Sequence, residues 1–204
     1  MPTYKLTYFN AKARGETARW IFALAGQEYE DNRIDLKDWP EVKKNFPFGQ
    51  VPVLEVDGFV LAQSGAINRL LARRSNLYGD NDIEAAKIDQ VCEALVDLGL
   101  AMRKYFHEKD ESRKEETLKD LLENEAKKHF GFLVNLLDAN GGNGFYVGNR
   151  VSLADVDSAI YLTDMVARVP GLKVTEPELL AHVEKIQSIP AIAEWLKKRP
   201  DTPF

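Results

Sequence analysis

Cys92 is the only cysteine in the 204-residue chain, so no disulfide can close within it, and a reducing compartment, the cytoplasm, is expected. Histidine is scarce too. His107, His129 and His182 stand far apart, and none has a metal-ligand spacing to another histidine or to the cysteine. Neither GxGxxG nor GxxxxGKS/T occurs, which removes two phosphate cradles. No apolar run approaches the ~20 residues that span a bilayer. The opening MPTYKLTYF lacks the basic-then-apolar pattern of a signal segment. No one sign of charge predominates: the formal net charge is -5, with acids and bases mixed. Arg69, Arg73 and Arg74 form the nearest approach to a basic cluster, and they read as a solvated helix end. A nucleic-acid or membrane partner is therefore not expected.

What is present suits an ordinary globular protein, with 45% apolar and 29% charged residues. Residues 3–9 (TYKLTYF) alternate like a strand. Ala18, Trp20, Ile21, Leu24 and Ala25 recur at helical spacing, and Gly26 stands where a helix C-terminal glycine belongs. A short strand is predicted at 28–34, then an irregular stretch around Trp39-Pro40 with a brief helix at 41–45. Residues 51–56 and 59–62 read as two strands joined by Asp57-Gly58, a strong hairpin signal. Ser64 is placed to cap a helix over 65–75 with Ile67, Leu70 and Leu71 inward. From Ile83 onward the pattern is helical. Ile88, Val91, Leu95, Leu98 and Met102 make one stripe, and Leu118, Leu121, Leu122, Phe130, Leu133 and Leu137 another. Asn140 to Gly144 is a turn cluster, and Ser152 to Asp155 reads as a capping box with Val151 before it. Further helices are predicted at about 153–167, 176–187 and 190–198. The expected architecture is α/β plus all-α: a β-α-β-α-β-β-α domain followed by a helical bundle.

The residues themselves narrow the chemistry. Cys92 lies on the stripe beside Ile88 and Leu95, where a buried small hydrophobe is expected rather than a nucleophile. If the chain is an enzyme, its nucleophile arrives with a bound cosubstrate. Val51-Pro52 opens a strand, which is where a sheet tolerates proline. The bond there could be trans in a turn, or cis and exposing backbone groups to a peptide ligand. Gln63-Ser64 ends a strand and opens a helix, a place that suits a carboxylate and equally suits a plain N-cap serine.

Six segments in order then carry a resemblance: YKLTYFN at 4–10, DWP at 38–40, PFGQVPVL at 47–54, VDG…QS at 56–64, VGN…SLAD at 147–155 and IPAI…WLKKRP at 189–200. Over essentially its whole length the chain resembles the sigma class of cytosolic glutathione S-transferases, which includes glutathione-dependent prostaglandin D synthase and cephalopod crystallins. The resemblance implies a thioredoxin-like domain at about 1–76 and an all-helical domain at about 83–204. It also implies a homodimer, glutathione as cosubstrate, hydrophobic electrophiles as second substrates, and a cis bond at Val51-Pro52. Tyr8 falls on the position whose phenol donates to the glutathione sulfur. A hydrogen bond to the charged form lowers a pKa and enriches the thiolate. Arg14 would assist it. Trp39 and Lys43 would hold the glycine end, with Gly49 and Gln50 beside them. The backbone at Val51, before Pro52, would pair with the cysteinyl portion. Gln63 and Ser64 would take the γ-glutamyl carboxylate, and Asp97 would reach the amino group from the partner subunit. Without the resemblance Tyr8 would read as a core aromatic like Tyr4.

The chain departs from that class at several positions. Gln50 replaces a frequent lysine, and Ala13 replaces a usual glycine, which is tolerable only where positive φ is not required. Val96 stands between Glu93 and Asp97 where the prostaglandin branch has a metal-binding acidic cluster, so no metal is expected. Lys104 stands where that branch has a pocket aromatic. Ala11, Ala13, Met102, Tyr105 and Phe204 are the expected electrophile-pocket residues. The main expectation is a transferase. The alternatives are a glutathione-dependent isomerase of the prostaglandin D synthase type, or a crystallin-like or ligand-binding protein with little turnover. A disulfide reductase is disfavoured because no cysteine lies near the first strand–helix turn.

Overall fold

The structure, a computed structural model, describes residues 2–202. These divide into two compact units, one running to Tyr78 and resuming at Ser188, the other spanning Gly79–Gln187. In the first unit the elements follow the expected order: β1 (Tyr4–Phe9), α1 (Ala13–Ala25), β2 (Glu30–Ile34), α2 (Trp39–Val42), β3 (Val53–Val56), β4 (Phe59–Ala62) and α3 (Ser64–Arg74). The four strands form one sheet in the order β2-β1-β3-β4. β1 pairs with β2 in parallel, Tyr8 opposite Arg33, and with β3 antiparallel, Leu6 opposite Leu54.

Period-2 alternation puts Tyr4, Leu6 and Tyr8 on one face of β1, and all three are buried. That face meets α1. Tyr4 packs edge-on against Phe22 at 5.4 Å between ring centroids, and the backbone at Gly15 lies against Tyr8. α1 ends at Gly26, whose φ of 58° allows its N–H to reach back to the carbonyls of Phe22 and Ala23. The β3–β4 turn has positive φ at both central residues, Asp57 at 48° and Gly58 at 86°, as the hairpin signal requires. The Val51-Pro52 bond is cis, as the resemblance implied.

Local expectations change at several points: the strand predicted at 51–56 begins at Val53, and the brief helix predicted at 41–45 is Trp39–Val42. The strand predicted at 28–34 is shorter, Glu30–Ile34. Ser64 is the first residue of α3 rather than its cap; Gln63 takes the cap position without a side-chain capping bond. The buried face of α3 comprises Ile67, Asn68, Leu71 and Ala72, leaving Leu70 half-exposed.

The second unit is helical: α4 (Asp82–His107), α5 (Glu111–Asp120), α6 (Ala126–Ala139), α7 (Leu153–Ile160) and α8 (Pro177–Gln187). The predicted α4 stripe is buried throughout. The second predicted stripe is split by a π-helical turn, Leu121–Glu125, between α5 and α6. Buried residues step from Leu121 to Ala126, then to Phe130, Leu133 and Leu137. The five-residue first step is wider than an α-turn, and a π turn absorbs it. A second π turn, Tyr161–Met165, follows α7, where Thr163 donates to the Ala159 carbonyl at 2.7 Å. The predicted capping box is present, the backbone N–H and hydroxyl of Ser152 each donating to Asp155 at 2.7 Å. No helix among the described residues is long and apolar enough to cross a membrane.

The last helix, α9 (Pro190–Lys198), groups by contact with the sheet unit. Its Trp195 and the following Arg199 reach the Glu16 carboxylate on α1.

Candidate functional site

The candidate site is built on β1, its following loop, and the two ends of the β3–β4 hairpin. The fold puts Tyr8 near the end of β1, with the side chain 7% exposed. The loop after it is tied down from below. Arg19 of α1 donates to the Ala11 carbonyl at 2.6 Å and to the Phe9 carbonyl at 3.4 Å, while its Nε meets Asp31 of β2 at 3.2 Å. Its guanidinium carbon lies 5.9 Å from the centroid of the Tyr8 ring.

Arg19 is buried, and so is its acidic neighbour Glu16. Glu16 Oε2 accepts from Arg19 at 3.3 Å. Oε1 accepts from Trp20 at 3.1 Å, Trp195 at 2.9 Å and Arg199 at 3.0 Å. Burial alone pushes the Glu16 carboxyl up. The hydrogen bonds from Trp195 and Arg199, with the charges of Arg19 and Arg199, outweigh it and hold the group below its ordinary value.

Ala13 opens α1 at a φ of +34°, so the chain holds a β-carbon where this class is expected to have glycine and where the backbone is left-handed. The condition under which alanine was expected to be harmless is not met. Arg14 follows it and is exposed.

Trp39, from α2, packs edge-on to Phe9 at 5.0 Å and stacks with Phe46 at 5.9 Å. Lys43 starts the next turn. Gly49, at φ +55°, lies over its stem, where a β-carbon would come within 3.1 Å of Lys43 Cε. Phe48 also has positive φ, +56°, and is 76% exposed. Arg14, Gln50, Val51, Pro52, Gln63 and Ser64 line one cleft, together with Phe48 and Ala62. Gln63 is held at φ 74° and ψ 112°, a sparsely populated conformation of the kind that clusters at ligand clamps.

Six of the eleven expected site residues therefore share a wall of one cleft, and Lys43 and Gly49 form a second contact pair. Tyr8 and Trp39 are not among the cleft's lining residues; each packs beside Phe9, Tyr8 at 5.5 Å. Asp97 is exposed on α4 in the other compact unit. Of the electrophile-pocket residues, Ala11 and Met102 are buried and Tyr105 is half-buried, while Phe204 lies outside the described residues. Phe48, Ala62 and the Glu16–Arg19 pair were missed from sequence. The signal for the pair was available: two opposite charges at i,i+3 amid an apolar run.

The cleft suits an anionic peptide. Helix α3 presents its N-terminus beside Gln63 and Ser64, where backbone N–H groups precede the first intrahelical bond, Ile67 N–H to the Gln63 carbonyl. Arg14 supplies a cation on the same wall. A thioredoxin-like sheet with a cis-proline before β3, followed by a helical unit, is the architecture that the resemblance to glutathione S-transferases implied. The chain matches the family described as "Glutathione S-transferase, N-terminal domain" over residues 4–73, and its "C-terminal domain" counterpart over residues 96–199. It is 44% identical to "Probable glutathione S-transferase 5" of Caenorhabditis elegans, over the full length of both chains. It is 40% identical to "Hematopoietic prostaglandin D synthase" of Gallus gallus, covering 99% of each. It superposes on the monomeric Na-GST-3 of the hookworm Necator americanus with a TM-score of 0.89 at 38% identity, covering 99% of this chain and 100% of that one. The chain belongs to the glutathione S-transferase family.

Proposed function

We propose that the chain is a glutathione transferase in which Tyr8 stabilises the thiolate of bound glutathione for attack on hydrophobic electrophiles. Bound glutathione supplies the sulfur nucleophile, a role for which Cys92, buried on α4, is unsuited. The Tyr8 phenol donates a hydrogen bond to the sulfur, favouring the anion, and Arg14 adds a positive charge to the same end. Gln63, Ser64 and the α3 N-terminus hold the γ-glutamyl carboxylate. The Val51 backbone pairs with the cysteinyl portion, and Trp39, Lys43, Gly49 and Gln50 hold the glycyl end. The supporting observation is that residues chosen from motifs between positions 14 and 64 converge on one cleft.

The finer features of the proposal are a sigma-class enzyme, cytoplasmic, acting as a homodimer in which Asp97 serves the partner's glutathione. The six ordered sequence motifs support the class. The exposed apolar side chains Phe48 and Phe59 on the sheet unit, with Val96 and Leu100 beside Asp97 on α4, support self-association. Sedimentation of the purified chain should give twice the monomer mass. The monomer mass alone, the state named for the hookworm Na-GST-3, rejects the dimer and the role of Asp97.

Initial rates with a chloronitrobenzene electrophile, with and without glutathione, beside glutathione calorimetry, test the main reading. Saturable, glutathione-dependent turnover is expected. Binding without turnover would favour a ligand carrier. Tyr8→Phe should retain glutathione binding and lower kcat/KM about tenfold to a hundredfold, the range of one hydrogen bond to a charged group. A variant as fast as the parent rejects the role given to Tyr8. Glutathione-dependent isomerisation of a prostaglandin endoperoxide is the second reading, favoured by the chicken relative, and the same purified protein decides it.

A further inference from the structure

Gly15 sits within α1, where its φ is not in the left-handed region, so the backbone does not call for glycine. Glycine inside a helix costs about 1 kcal/mol relative to alanine. A reason for it lies in the neighbouring strand. A β-carbon built on Gly15 would stand 2.5 Å from Cδ1, 2.8 Å from Cγ and 3.1 Å from Cβ of Tyr8. These atoms are the root of the Tyr8 side chain and not a movable tip, so an added methyl can be accommodated only by displacing the ring or the helix. The ring has little room to yield elsewhere. It is buried, with the Arg19 guanidinium 5.9 Å from its centroid, and Arg19 is itself pinned to Ala11, Phe9, Glu16 and Asp31.

We propose that Gly15 is a positioning residue for the reaction: its missing side chain makes the space that sets the Tyr8 ring, and through it the reach of the phenol to the glutathione sulfur. The proposal rests on the reading of Tyr8 as the thiolate-stabilising group. Gly15 touches neither glutathione nor electrophile in this scheme and acts only through Tyr8. A displacement of a few tenths of an ångström matters because a hydrogen bond weakens steeply as its length and angle degrade.

The test compares the parent with Gly15→Ala, Tyr8→Phe and the double variant. Ultraviolet titration of thiolate absorbance gives the pKa of bound glutathione, calorimetry its Kd, and thermal melting the stability. Gly15→Ala is expected to reduce the thiolate fraction near neutral pH about threefold to tenfold, with Kd changed less than threefold. In the Tyr8→Phe background the same substitution should leave the thiol pKa where Tyr8→Phe alone put it. If Tyr8→Phe raises the pKa but Gly15→Ala does not, the positioning role is wrong and the reading of Tyr8 stands. An equal effect of Gly15→Ala in both backgrounds overturns it too. If Tyr8→Phe leaves the pKa unmoved, the reading of Tyr8 fails and this proposal fails with it. Should Gly15→Ala not fold, Tyr8→Ala/Gly15→Ala decides. Recovery of folding supports the ring contact as the constraint, and failure of the double variant as well overturns it.

Discussion

Glu16 and Arg19 are charged side chains at 1% and 0% exposure, and each is held by partners that would be stranded without it. Removing one member of such a pair costs more than forming the pair gained, because the other charge stays buried. Glu16→Gln keeps the shape but not the charge that faces Arg19 and Arg199. We expect a loss of about 3 kcal/mol at neutral pH, read from urea unfolding. The pH dependence has a definite sign. The Glu16 carboxyl is held below its ordinary value in the folded state. Its contribution is therefore complete above the unfolded pKa, near 4.3, and fades as pH falls through the folded value. The gap between parent and Glu16→Gln should accordingly close as pH drops from 5 towards 3. A gap that stays constant over that range would mean that the charge of Glu16 is not what stabilises the parent. Ala13 makes the opposite case. Its φ of +34° carries a strain that glycine would relieve, so Ala13→Gly should be neutral or stabilising by up to about 1 kcal/mol, where alanine to glycine in a helix interior costs as much.

Among the elements, the Ser152–Asp155 cap is the clearest point at which local sequence dictates local structure. Asp155 accepts from Ser152 N–H, the Ser152 hydroxyl and Tyr146 N–H, at 2.7, 2.7 and 2.9 Å. Burial pushes its carboxyl up, against the pull of those bonds. Asp155→Ala leaves three buried donors unpaired and should cost about 3 kcal/mol or more, whereas Ser152→Ala should cost about 1 kcal/mol. Equal costs would mean that the Asp155 carboxylate adds nothing beyond an ordinary cap. That cap was legible because its spacing is local, as were the Asp57-Gly58 hairpin, the Gly26 helix end and the α4 stripe. The π turns were not, since a five-residue step in a stripe looks like noise until the helix is seen to widen there. The cis bond at Val51-Pro52, the cleft shared by Arg14, Gln50 and Gln63, and the place of Tyr8 against Gly15 depend on contacts distant in sequence. At Val51-Pro52 the residues alone left cis and trans open and the family pattern favoured cis, whereas the contact of Tyr8 with Gly15 had no signal in the sequence.

At the scale of the whole chain, the last segment belongs with the first. The described residues 188–202 group with the sheet unit although the whole helical unit separates them in sequence. The physical tie is Glu16 of α1, whose Oε1 takes hydrogen bonds from Trp195 and Arg199, while Ile192 of α9 is fully buried. Each hydrogen bond to a charged group is worth about 1.5–3 kcal/mol. Truncation after Gln187 should therefore lower the stability of the sheet unit by about 3 kcal/mol or more, and amide exchange in β1 and α1 should quicken by roughly a hundredfold. The α4 amides should keep their protection. If α4 loosened while β1 and α1 did not, the C-terminal helix would owe its place to the helical unit. If both units loosened together, the chain would unfold as one cooperative body, and the anchoring of Glu16 could not be the local effect that its contacts describe.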